Sequence, residues 1–395
     1  MLALTLSIIT ETFPAASRAG AIGTWAAIGG TGFGVGPVVG GVLLTFFGWA
    51  SVFWVNLPFA VAAIAVTMTA VRESRNPDDS RRLDVPGVAA SALGLVAVTL
   101  GLTESASHPW GSWLVAAPLV TGGFLLAWFA WWERRSPHAM IPPALLGARS
   151  FVSASAVYLI SYTAFSGVLF YVTLLYQDVD GWSPLRTGLS WLLMNAPFLV
   201  TAQLADRLGR RRSPARVVAV GCLAAAIGCL ALSRAGRDPF ALTAGGYLLA
   251  GAGFGVLVPS VTHVAMRDVP AGASGAASGV VNAARQVGTS VGLAVLGSVG
   301  AAAAISNWHA MTARLPAPAR QAAARQAQNV AGARVTAVTQ ALGPAYRHAA
   351  VRAFTHGYQL AVGVGAICLL AAAITALLGF RQPRPPAGPA TPELP

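Results

Sequence analysis

Residues 29–41 read Gly29-Gly30-Thr31-Gly32-Phe33-Gly34-Val35-Gly36-Pro37-Val38-Val39-Gly40-Gly41. Three small-xxx-small pairs overlap in this stretch: Gly30/Gly34, Gly32/Gly36 and Gly36/Gly40. On a helix, glycines at that spacing leave one face bare, so a neighbouring helix can approach to backbone contact. Pro37 removes one backbone hydrogen bond and bends the helix. The stretch reads as a flat, kinked packing surface on which another helix slides or seals. Gly and Pro inside a long apolar run are tolerated by membrane helices and are hostile to soluble ones.

The rest of the chain agrees with that reading. Its 395 residues are 55% hydrophobic and only 10% charged, whereas a soluble domain carries about 25% charged residues. A bilayer span needs about 20 mostly apolar residues. Ten such runs are predicted, at roughly 20–45, 50–71, 85–104, 113–132, 151–176, 187–205, 216–233, 239–262, 276–304 and 354–379. The expected fold is all-α, a polytopic membrane helix bundle of about ten transmembrane helices. MLALTLSIIT at the start is apolar but too short to span. The final RQPRPPAGPATPELP is Pro-rich and expected to be a disordered tail.

The formal net charge is +13, and every basic residue is Arg. In a soluble protein this would suggest nucleic acid. Here the arginines cluster in short loops between apolar runs, where they fix orientation, so no nucleic-acid partner is expected. With residues 11–19 in the cytoplasm, sixteen arginines fall inside, among them Arg134, Arg135, Arg149, Arg212, Arg216 and Arg267, and only Arg186, Arg234 and Arg237 fall in short outside loops. Segment 303–353 disagrees: it lies outside yet carries six arginines and no acid, and it reads as an amphipathic helix at the membrane surface. Cys222, Cys229 and Cys368 sit in apolar runs as small core residues. The six histidines are scattered without ligand spacing, so neither a metal nor a cofactor is expected.

GVGPVVGG (34–41) fits the antiporter signature g-x-x-x-G-P-x-x-G-G. On that motif the chain resembles the major facilitator superfamily, in particular its 14-span drug/proton antiporter branch. ETFPAASRAGAIGTW (11–25) is similar to the cytoplasmic loop between spans four and five, and GWASVFWVNLPFAV (48–61) to the start of span six. DRLGRRRSP (206–214) is similar to the second copy of the G-x-x-x-D-R-x-G-R-R loop, with Ala202 where the first Gly is usual. GAGFGVLVP (251–259) and SGVVNAARQVGTSVGLAVLG (278–297) resemble spans twelve and thirteen. The resemblance implies that 1–72 is an N-terminal bundle lacking spans one to three and most of four, through an internal Met taken as start or a truncated gene. It implies a linker at 73–150 with two extra spans, a complete six-helix C-terminal bundle at 151–380 that includes external loop 303–353, and a cytoplasmic tail at 381–395.

Candidate functional residues fall into three groups. Gly32, Gly36, Pro37, Gly40 and Gly41 are the antiporter-motif packing surface. Asp206, Arg207, Gly209, Arg210 and Arg211 are expected in a tight cytoplasmic loop, either as a gate, with Asp206 favoured by a helix N-terminus, or as charges that only fix topology. Tyr158, Tyr162, Trp191, Asn195, Asn282, Arg285 and Gln286 are candidates for a substrate cavity; Tyr158, Tyr162, Trp191 and Asn195 fit a lipid-facing or packing role as well, and Arg285 also fits snorkelling to the interface. All thirteen acids lie in loops, in the tail or at span edges, so no proton-carrying carboxylate stands mid-span. On the resemblance, that carboxylate belongs to the missing helices.

The function implied is proton-coupled export of an amphipathic drug or metabolite by alternating access, in the bacterial inner (plasma) membrane, with the C-terminus cytoplasmic. The partners are the small-molecule substrate, protons and the lipid bilayer. Two alternatives remain: a transport-inactive remnant of such a carrier, or a membrane-embedded transferase. No catalytic constellation is present, so no enzyme activity is expected. The charge asymmetry predicts that alkaline phosphatase fused after Ser233 is active and that the same enzyme fused after Arg212 is inactive. The opposite pattern would reverse the orientation.

Overall fold

The computed structural model describes residues 32, 35–70, 84–105, 108–136, 143–234, 240–267, 269 and 273–380, and the backbone alone at residues 70, 143, 144, 206–211, 240 and 274. Gly30, Gly34, residues 1–31 and the tail at 381–395 lie outside the described residues. Among the described residues nine helical segments are long and apolar enough to cross a membrane, and Val35–Phe46 is a shorter apolar helix. There is no β-strand among them.

The helices run in chain order as α1 (Val35–Phe46), α2 (Ser51–Trp54), α3 (Asn56–Ala70), α4 (Val85–Glu104), α5 (Trp113–Glu133), α6 (Pro143–Gly147) and α7 (Arg149–Leu174). They continue as α8 (Pro184–Ser190), α9 (Leu192–Arg211), α10 (Pro214–Leu232), α11 (Phe240–Arg267) and α12 (Ser274–Thr312). Three short helices, α13 (Ala317–Arg325), α14 (Ala327–Ala331) and α15 (Val335–Leu342), precede the last, α16 (Arg347–Gly379). Local signals place these ends. Asp84 caps α4 by accepting the Gly87 amide at 3.1 Å, and its carboxylate also receives the Trp132 indole at 3.0 Å, which clips α4 to α5. Ser183 accepts the Arg186 amide and opens α8, with Pro184 in the first turn.

Helices α7, α8–α9, α10, α11, α12 and α16 form one bundle, and the α4/α5 hairpin lies against α12. Glycines set the spacing. A methyl on Gly253 would run into the Ala225 amide and the Gly221 carbonyl of α10. Gly228 and Gly246 oppose each other in the same way. On the other side of α11, Gly251 and Gly255 lie on the Met194 and Phe198 carbonyls of α9. Gly288 and Gly292 of α12 lie on the Leu159 and Thr163 carbonyls of α7, and Gly300 meets Gly357 of α16. Hydroxyls then reach across these close seams: Thr163 to the Gly288 carbonyl at 3.1 Å, Ser166 to Thr289 at 3.0 Å and Tyr171 to Gly297 at 2.9 Å. Such bonds are worth about 0.6 kcal/mol each in a membrane bundle.

Three features differ from the sequence reading. The helices next to segment 303–353 are longer than their apolar cores, since α12 continues to Thr312 and α16 begins at Arg347. The segment is not one amphipathic helix. It folds into α13–α15, which with the ends of α12 and α16 enclose a small core of Trp308, Ala323, Ala327, Val330, Val338, Ala350 and Ala353. Trp308 is fully buried and donates its indole N–H to the Ala323 carbonyl at 2.9 Å. The physical reason is that its alanines and valines face this tryptophan instead of lipid. Third, the apolar helix α2–α3 has no buried residue within the described chain.

The glycine seams yield a stability prediction. Gly253→Ala is expected to cost about 1–3 kcal/mol by overpacking. Gly363→Ala, where an added methyl meets nothing within 4 Å, is expected to be neutral or slightly stabilising. Thermal unfolding midpoints in detergent check both; equal midpoints would show that the α10–α11 seam is looser than drawn here.

Candidate functional site

The sequence places Tyr158, Tyr162 and Phe165 at i, i+4 and i+7, hence on one face of α7. That face looks into the bundle. Tyr158 is 1% exposed and donates its hydroxyl to the Val258 carbonyl of α11 at 2.7 Å, with the Thr262 hydroxyl also in contact. The rings step inward from there: Tyr158 to Tyr162 at 5.9 Å, Tyr162 to Phe165 at 5.9 Å, and Phe165 to Phe254 of α11 at 4.8 Å, edge to face.

Arg285 of α12 closes this row. Its guanidinium carbon lies 4.7 Å from the Tyr162 ring centroid and 5.8 Å from that of Tyr158. It sits about 16 Å along α12 from Ser274, at 1.5 Å per residue. A charge at the centre of a spanning helix costs about 2.5–3.5 kcal/mol, while each aromatic contact returns about 0.5–2 kcal/mol. The two aromatic contacts together offset much of that cost but supply no counter-charge.

Trp191 packs on the core that also takes in Phe165 and Phe254. Asn195 is buried and Trp191 half-buried on the α8–α9 side, packed with the Met194, Tyr247 and Phe254 core. The Trp191 indole nitrogen is buried without a hydrogen-bond partner among the described residues, while the Tyr176 and Tyr247 hydroxyls lie side by side. Asn282 is half-buried and Gln286 is exposed, so α12 turns Gln286 away from the bundle. The structure thus brings Tyr158, Tyr162 and Arg285 together and leaves Gln286 outside. Sequence reasoning missed Phe165, Phe254, Thr262, Tyr176 and Tyr247. Phe165 was legible as the next member of the α7 face, but nothing in the sequence pairs it with Phe254.

The antiporter-motif surface is only partly covered. Among the described residues, Gly32, Gly36 and Gly40 have no neighbour within 4 Å of an added methyl. Gly41, one residue on, is buried, and a methyl added there would lie 2.8 Å from the Leu185 α-carbon and 2.9 Å from the Pro184 carbonyl. A methyl on Gly188 would collide with the Pro37 carbonyl. The described seam of α1 is therefore its Pro37/Gly41 face, set against α8, and Gly188 is the unforeseen half of it.

The gate candidates need correction. Asp206, Arg207, Gly209, Arg210 and Arg211 lie in the last turns of α9, which continues helically to Arg211; only Arg212 and Ser213 separate it from α10. Asp206 is near a helix C-terminus, where the dipole disfavours an acid and suits the arginines. At the opposite, cap-bearing end, Arg186 stacks on Trp182 at 4.1 Å, and Trp182 stacks on Tyr176 at 4.2 Å. Asp180 lies beside them. Burial raises its carboxyl above the ordinary range despite the opposing pull of Arg186 and Arg347.

Comparison with known proteins gives the family. The family model described as "Major Facilitator Superfamily" matches residues 1–293. Multidrug resistance protein Stp of Mycobacterium tuberculosis is 34% identical over 298 residues, which is 75% of this chain and 55% of that protein. Drug efflux pump JefA of the same species is 31% identical across 97% of this chain and 77% of its own length. Puromycin resistance protein pur8 of Streptomyces alboniger is 32% identical over 75% of this chain and 59% of its own length. The chain thus spans little more than half of Stp and pur8.

The α1–α8 contact is testable by cross-linking. With cysteines at Gly41 and Leu185, a short bifunctional reagent is expected to join them efficiently. Adding Gly188→Leu is expected to lower the yield several-fold, because the new side chain displaces the Pro37 backbone. An unchanged yield would place α1 elsewhere.

Proposed function

We propose, from the premise that this chain belongs to the major facilitator superfamily, that it exports amphipathic drugs or metabolites in exchange for protons. Family membership replaces the transferase alternative. Substrate would bind beside Tyr162, Phe165, Phe254 and Arg285, within the bundle, as expected of a carrier that exposes one site alternately to each side. The observation that carries this reading is a deep arginine on an aromatic shelf, in a bundle otherwise held by apolar packing.

The Pro37/Gly188 contact is the natural sliding surface between α1 and the large bundle, because smooth backbone seams resist motion less than interdigitated side chains. Residues 206–211 at the end of α9 would form the cytoplasmic gate. The orientation, C-terminus inside the bacterial plasma membrane, follows from the arginine bias. A second reading is supported by the unburied α2–α3: a chain that inserts but does not transport unaided.

Expression in an efflux-deficient bacterial host separates the two. The first reading expects lower accumulation of ethidium or of a fluorescent organic anion, restored to control levels by a protonophore. Membrane-inserted protein with unchanged accumulation of both would favour the second. Efflux that survives collapse of the proton gradient would sink proton coupling.

A further inference from the structure

Arg285 has aromatic partners and no acidic one. The Tyr162 and Tyr158 rings lie 4.7 and 5.8 Å from its guanidinium carbon. Among the described residues no carboxylate pairs with it; the aromatic rings are its partners. The guanidinium is nearer to Tyr162, which stands one helical turn further from Arg149 than Tyr158 does. The head is thus turned into the bundle, away from the α9–α10 end of α12, which is the direction opposite to snorkelling.

A guanidinium has five N–H donors in a planar fork matched to an oxyanion. The Tyr162 hydroxyl is hydrogen-bonded to the guanidinium, and the donors it does not take are left to a ligand. Next to it, Tyr162, Phe165 and Phe254 continue as an aromatic row with steps of 5.9 and 4.8 Å. One end of the site therefore suits a negative charge, and the rest suits flat rings.

We propose that Arg285 is the anion-binding group of the substrate site, and that the preferred substrates are aromatic compounds bearing a carboxylate, sulfonate or ionised phenol. The assignment rests on the transport reading only for the word substrate; the binding chemistry stands on the geometry alone. A cation of the same shape is repelled by the same arginine, so the site discriminates by charge.

The test is equilibrium binding to the full chain in detergent, with 2-naphthoate, 2-naphthylmethanol and 2-naphthylmethylammonium as probes of one ring system and three charges. Naphthoate is expected to bind about tenfold or more tightly than the cation, a difference of about 1.4 kcal/mol. Arg285→Gln should remove that preference and leave the neutral alcohol within about twofold, while Arg285→Lys, a point charge without the fork, should keep part of it. Tyr158→Phe, which keeps the ring, should keep all of it. Equal affinities in the unsubstituted chain, a cation preference, or an equal loss of all three probes in Arg285→Gln would each overturn the assignment. The comparison within the unsubstituted chain holds even if a variant misfolds. Binding needs no gradient, so a chain that selects the anion yet fails the efflux assay refutes transport and leaves this site standing. Efflux of ethidium without anion selectivity does the reverse.

Discussion

Backbone contact at glycine is the constraint on which the bundle depends. Lipid tails are as apolar as leucine side chains, so burial gives little net drive for helices to associate, and close van der Waals packing takes its place. Here the close seams run through Gly221/Gly253, Gly228/Gly246, Gly251 and Gly255 on Met194 and Phe198, Gly288 and Gly292 on Leu159 and Thr163, and Gly300/Gly357. They tie α10 to α11, α11 to α9, α7 to α12 and α12 to α16. The hydroxyls of Thr163, Ser166 and Tyr171 reach neighbouring carbonyls because those helices are already in contact.

The same packing creates the site. Once α7 is pressed onto α12 at Gly288 and Gly292, Arg285 one turn earlier is brought over Tyr162 and Tyr158. Once α11 is seated between α9 and α10, Phe254 reaches Phe165 and Val258 meets the Tyr158 hydroxyl. The aromatic shelf is a consequence of glycine spacing on three helices, which links the stability of the bundle to the geometry of the arginine.

Two outer parts show how context decides the use of an apolar or basic segment. The cap α13–α15 is basic and alanine-rich, yet it closes on Trp308 and forms a core of its own. Helix α3 is more apolar than the cap and buries nothing in the described chain. The α4/α5 hairpin is intermediate: it is held internally by Gly94, Gly101 and Gly122, and it touches the bundle through α12, where Trp110 donates to the Ser298 hydroxyl at 3.0 Å.

By itself the sequence determined that this chain is a membrane-spanning all-helical protein, because length and hydropathy decide insertion without reference to any partner. The spans and the motifs at 34–41 and 206–214 were legible for that reason, and the shared helix face of Tyr158 and Tyr162 was legible from their spacing, though not the direction it points. Which glycines meet a neighbour was decided only by tertiary structure: among the described residues Gly41 and Gly188 do, whereas Gly36 and Gly40 do not. So were the placement of Arg285 on two tyrosines, the turning of Gln286 out of the bundle, the helical state of 206–211 and the closure of the cap on Trp308. Each depends on the relative rotation and depth of two helices distant in the chain, and a pattern within one helix carries no information about the helix it will face.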